Sequence, residues 1–163
     1  MDSTSIGMMV ALVILIFMSA YFSATETAFT SLNRIRMKNK AEDGNVRAAK
    51  ALELAENYDK VISTILIGNN IVNISATTVA TVLCTKLFRE YGPTVSTVAL
   101  TIIILIFGEI TPKSLAKEAP ESVAMAVTPL LRVFMVVLAP VNFLFGLWKM
   151  LMSCVFHTEG EEG

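Results

Sequence analysis

The chain has 163 residues, 54% of them apolar and 17% charged, and a formal net charge of −1. With a mean hydropathy of +0.63 this composition excludes an ordinary soluble domain, and no basic excess suggests a nucleic-acid partner. The sequence predicts an all-α membrane protein.

Three stretches carry no Asp, Glu, Lys or Arg over lengths near the ~20 residues that cross a bilayer: Ser3 to Thr25, Val61 to Thr85 and Tyr91 to Gly108. They predict transmembrane helices at about 5–31, 61–85 and 94–114. The first is preceded by the acidic leader MDSTS and lacks a small-x-small cleavage site, so it reads as a retained helix rather than a secretory signal.

Between the first two spans, NRIRMKNKAEDGNVRAAKALELAENYDK holds seven of the thirteen Lys and Arg residues. Basic excess beside a span marks the cytoplasmic side, which puts the N-terminus outside. Within this segment Asn45 can cap a helix and Asp43-Gly44 reads as a turn, so the expectation is a cytoplasmic helical hairpin, 34–42 and 46–57. A solvated link between two spans explains it; a docking surface for a further cytoplasmic domain is the functional alternative. The next connection, KLFREYGP, is short.

From Pro120 the prolines at 120, 129 and 140 cut the apolar sequence into pieces, the first two too short to span. Arg132 and Lys149 can snorkel and Trp148 suits the headgroup boundary, so a kinked juxtamembrane belt helix is expected over 120–156, with a re-entrant or spanning fourth helix as the competitor. Residues 157–163 form an acidic tail, and the C-terminus is expected in the cytoplasm. Cys84 and Cys154 are expected as buried free thiols, and the lone His157 as a surface residue without metal-ligand spacing.

Three polar clusters stand where hydrocarbon should be. In FSATETAFTS, Ser23, Glu26, Thr27 and Thr30 share one helical face; in LIGNNIVNIS, Asn69, Asn70 and Asn73 follow Gly68; and FGEITPKSL carries Glu109. Ser23, Asn70 and Glu109 lie five to nine residues from the inner ends of their spans, a shared layer roughly 8 to 14 Å deep. Pro112 has no N–H for the carbonyl of Gly108 and is expected to free that oxygen; Gly68 and Pro112 are the expected points of helix irregularity.

Hydroxyls, amides, one carboxylate and one carbonyl make a hard-cation donor set that suits Mg²⁺ or Na⁺ without choosing between them. Glu109, an ionisable residue inside a span, is the strongest functional candidate. A local pair with Lys113 is its bland alternative, and the Ser and Asn side chains have ordinary helix-packing roles to set against ligation. Glu26 stands near the basic residues of the inner surface and its role stays open.

YFSATETAFTSLNRIR, STILIGNNIVNI and GEITPKSLA together resemble, in order, the signatures of the transmembrane domain of the CorC/CNNM family of magnesium transporters. The resemblance implies three spans plus a belt in an inner or plasma membrane, a homodimer, and a Mg²⁺ site open to the cytoplasm, with export coupled to Na⁺. It places metal ligands at Ser23, Asn70 or its neighbour Asn69, Glu109 and the Gly108 carbonyl, with Asn73, Thr25 and Glu26 less firmly implied. Thr25 stands where a serine is common in the family. Cytoplasmic CBS modules and a small C-terminal domain are expected to follow in a full-length chain. The leading function is thus Mg²⁺ export by alternating access; the competing one is a Mg²⁺-sensing membrane anchor or scaffold that does not transport. No P-loop, HExxH or nucleophile–His pattern supports an enzyme.

Overall fold

The computed structural model describes residues 2–160, with side chains as far as Phe156. His157 and the tail 157–163 lie outside the described side chains. Apart from short connections the described residues are helical: α1 (Ser3–Ser31), α2 (Arg34–Glu42), α3 (Val46–Glu56), α4 (Tyr58–Phe88), a 3-10 turn (Arg89–Tyr91), α5 (Gly92–Ile103), a π-helical segment (Ile104–Ile110), α6 (Thr111–Glu118), α7 (Pro120–Val137) and α8 (Ala139–Gly160).

α1 and α4 run antiparallel along their whole length. Asp2 caps α1 through the Ser5 N–H (3.0 Å) and pairs with Lys86 near the end of α4, also at 3.0 Å. At the opposite end the Thr30 and Tyr58 hydroxyls lie 3.4 Å apart. α4 buries Val61, Thr64, Ile65, Gly68, Val72, Ala76 and Ala80, a stripe with helical period that faces α1 and its neighbours. After the turn at Arg89–Tyr91 the chain folds back tightly enough that a Cβ on Gly92 would sit 2.4 Å from the Thr85 Cα.

The buried core gathers at the Thr30 end, where Phe22, Phe29, Met37, Ala48, Ala51, Ile65, Ala116, Ala124 and Leu131 pack together. Elsewhere the long helices expose Val10, Val13, Phe17, Ile74, Val82 and Ile102, an inside-out pattern that a lipid solvent satisfies and water does not. Four helical stretches are long and apolar enough to cross a membrane: Ser3–Ser31, Tyr58–Glu118, Pro120–Val137 and Ala139–Phe156. The chain is an integral membrane protein.

α2 and α3 form where the sequence predicts them. Asn33 and Asn45 accept from the first backbone N–H groups of the two helices, and Gly44, at φ 97, makes the left-handed turn between them. The pair is more than a solvated link. Met37, Ala48 and Ala51 are fully buried, α3 packs on α7, and Arg34 donates to the Ala55 carbonyl at 3.0 Å.

Two expectations from the helix breakers are corrected. Pro129 does not cut the 120–156 region: α7 runs through it, held by the buried Ala124, Thr128 and Leu131, and the break comes at Leu138, just ahead of Pro140. Gly68 leaves α4 unbroken. A Cβ there would lie 2.5 Å from the Phe22 ring, so this glycine makes room for an aromatic side chain rather than a hinge. Cys84 is half-buried and Cys154 exposed, so neither is the fully buried thiol expected.

Candidate cation site

Ser19 on α1 is the centre at which three elements meet. Its hydroxyl lies 3.0 Å from Asn73 Oδ1 and 3.4 Å from Asn69 Oδ1, both on α4. It also lies 3.0 Å from where a Cβ on Gly108 would be. The missing side chain of Gly108 thus lets the π segment approach α1 at this level. A hydroxyl has a single hydrogen, and two amide oxygens converge on it. The cluster therefore gathers one hydroxyl and two side-chain amides, all neutral polar groups, between α1 and α4.

Ser23 stands one turn along α1 from Ser19, on the same face. It is 1% exposed, and its Oγ has no hydrogen-bond partner. A buried hydroxyl left unpaired costs about 1–3 kcal/mol, which singles this atom out among the polar groups of α1.

Glu109 is half-buried in the π segment, and neither a hydrogen bond nor an ion pair engages its carboxylate. Lys113, also half-buried, makes no ion pair with it, so the bland alternative for Glu109 is not realised. The helix is irregular just ahead of Pro112, as expected there: the chain shifts register, and the Thr111 N–H reaches back five residues to the Ile106 carbonyl. A π segment of this kind is a common device for opening a helix at a functional position.

The remaining expected ligands divide by helical face. Asn69 and Asn73, four residues apart, face Ser19, whereas Asn70 is exposed and lines a groove with Ile67 and Phe145. The buried Thr25 hydroxyl is already donated to the Tyr21 carbonyl at 2.7 Å. Glu26 is half-buried without a side-chain partner. Ser19 is the member of this polar cluster that sequence reading missed; its i−4 relation to Ser23 was the available signal. Among the described residues no three His, Cys, Asp or Glu side chains gather as a metal cluster, and the side chains that meet at Ser19 are neutral.

An aromatic support lies beneath. The Phe22 ring packs edge-on to Tyr21 (centroids 5.5 Å apart) and against Phe134 of α7 at 5.0 Å, while the Tyr21 hydroxyl donates to the Val127 carbonyl at 2.7 Å. α7 is thereby tied to the stretch of α1 that carries Ser19 and Ser23.

These features define a helical membrane domain with an oxygen-lined polar centre inside an apolar bundle. A family model of the cyclin M (CNNM) transmembrane N-terminal domain matches residues 10–162, and the chain belongs to that family. It is 38% identical over 157 residues to a UPF0053 protein of Haemophilus influenzae, covering 95% of this chain and 37% of that one. It is 38% identical over 135 residues to the UPF0053 inner membrane protein YfjD of Escherichia coli, covering 82% and 32% respectively. A polyamine export protein of Haemophilus influenzae is 28% identical over 148 residues, covering 83% of this chain and 34% of that relative. The chain thus spans about a third of the length of the curated relatives it matches.

Proposed function

We propose that this domain exports Mg²⁺ from the cytoplasm by alternating access, with Na⁺ as a coupling ion. The observation that carries the reading is the unpartnered buried hydroxyl of Ser23, one helical turn from the polar cluster of Ser19, Asn69 and Asn73. Mg²⁺ takes about six oxygens and keeps several waters. Ser19, Ser23, Asn69, Asn73, the Gly108 carbonyl and Glu109 are the donors proposed to meet it, with Asn70 one face away. A single carboxylate against a divalent charge leaves the ion incompletely neutralised, which suits a cargo that must leave again. The π segment supplies the irregular backbone that transporter sites use.

The proposed topology has three spans, formed by α1, α4 and the α5–α6 rod, with α7 and α8 as the juxtamembrane belt. The basic α2–α3 pair is cytoplasmic and the N-terminus outside, a reading supported by the charge bias. A homodimer, and CBS and C-terminal cytoplasmic domains in a longer chain, belong to the same proposal.

A polyamine cargo is the second reading. It is favoured by Glu26 and Glu109, two half-buried carboxylates without cation partners, and by the names of relatives that export polyamines. Flux from vesicles loaded with Mg²⁺ or with putrescine separates the two. Mg²⁺ flux that falls about ten-fold or more in Ser19→Ala and in Glu109→Gln supports the first reading. Unchanged Mg²⁺ flux in both variants refutes it, and binding without flux favours a sensor or anchor.

A further inference from the structure

We propose that the crevice between α4 and α8 is a binding site for an anionic phospholipid, independent of the cargo carried at Ser19. Two adjoining hollows of about 510 and 400 Å³ lie there, and Asp59, Ser63, Phe145 and Lys149 line both, so they form one continuous groove. Its chemistry changes along its length. Lys60 and Asp59 stand in the first turn of α4, with Lys149 across from them on α8, and among the described residues none of the three has an ion-pair partner. Leu66 and Ile67 of α4 line the groove further along, about 9 Å deeper at 1.5 Å per residue. The groove therefore has a net cationic end at the helix start and a largely apolar end, with Asn70 as its polar member, further along α4, a polarity that matches a phospholipid.

The charge sum of Lys60, Lys149 and Asp59 is +1, which selects an anionic headgroup over a zwitterionic one. Basic pockets between helices at a membrane surface recognise lipid phosphates in this manner. The groove's two walls are held at a fixed point, because Asn142 of α8 donates to the Thr64 hydroxyl of α4 at 2.7 Å. Over Ala139–Phe156 no residue of α8 is buried by protein, and Phe143, Leu144, Leu147 and Leu151 are all exposed. A lipid seated in the groove would cover part of that surface and brace α8 against α4.

Trp148, the single tryptophan, is adjacent to Lys149 and serves as the reporter. The full chain is reconstituted in phosphatidylcholine vesicles containing a small fraction of bromine-labelled phosphatidylglycerol or, in parallel, bromine-labelled phosphatidylcholine. Trp148 fluorescence should be quenched more strongly by the labelled phosphatidylglycerol. The relative affinity for the anionic lipid should fall about five-fold for each of Lys60→Gln and Lys149→Gln and rise in Asp59→Asn. Lys86→Gln, the same charge change at the opposite end of α4, should leave it unaltered. Equal quenching by the two lipids in the wild type, or a preference that survives the double lysine substitution, overturns the proposal.

Discussion

Gly68→Ala separates a packing role from a hinge role, because the two forces on it oppose each other. Alanine gains roughly 1 kcal/mol of helix propensity over glycine. Its methyl would meet Phe22 Cζ at 2.5 Å and Cε1 at 2.7 Å, about 1 Å inside comfortable carbon contact. Phe22 is 1% exposed and confined by Tyr21 and Phe134, so its ring cannot swing aside. Overpacking of this kind costs about 1–3 kcal/mol, which outweighs the propensity gain and leaves a net loss of up to about 2 kcal/mol. Phe22→Leu removes the obstructing ring, and in that background Gly68→Ala should be neutral or stabilising, a coupling of about 1 kcal/mol or more. Thermal unfolding in detergent, followed by far-UV circular dichroism, reads both effects. A raised midpoint for Gly68→Ala in the wild-type background would refute the close-packing account.

Four further outcomes follow from the geometry. Thr25→Ala should retain Mg²⁺ flux while Ser19→Ala loses it, since the Thr25 hydroxyl is spent on the Tyr21 carbonyl at 2.7 Å; vesicle flux checks the pair. Gly108→Ala places a methyl 3.0 Å from Ser19 Oγ and should lower Mg²⁺ affinity by calorimetry more than it lowers the unfolding midpoint. Tyr21→Phe deletes the bond to the Val127 carbonyl and should cost about 0.5–1.5 kcal/mol of stability, read by the same unfolding assay. Asp2 is held below its ordinary value of 3.8, first by its hydrogen bonds to Ser5 and then by Lys86. A depressed folded value means its contribution is present above the unfolded value and is lost as pH falls through the folded one. In an NMR titration Lys86→Gln should therefore raise the Asp2 midpoint only in part, because the Ser5 bonds remain.

The elements were legible in the sequence where local chemistry decides them. Asn45 and Gly44 fixed the α2–α3 pair, and the uncharged runs located α1, α4 and the α5–α6 rod to within a few residues. Breakers misled because their effect depends on tertiary surroundings. Pro129 is tolerated where α7 is braced by its neighbours, and Gly68 serves an aromatic ring on another helix, whereas the irregularity expected at Pro112 is there as a π segment. The polar centre was half legible. Glu109 and Ser23 stand out as polar atoms in apolar runs, but adjacent residues on a helix point about 100° apart. Only the packing of α1 on α4 could show that Asn69 faces Ser19 and Asn70 does not. Ser19 escaped notice because one serine in an apolar helix ordinarily bonds its own backbone.

The claim that Ser19, Ser23 and Gly108 form one cation site is tested most directly by an anomalous-scattering map of the protein with Mn²⁺ in place of Mg²⁺. The account predicts a single peak about 2.0–2.3 Å from both serine hydroxyls and the Gly108 carbonyl, with Glu109 drawn toward it directly or through water. A peak bound elsewhere, with Ser23 Oγ still unpartnered, would contradict it.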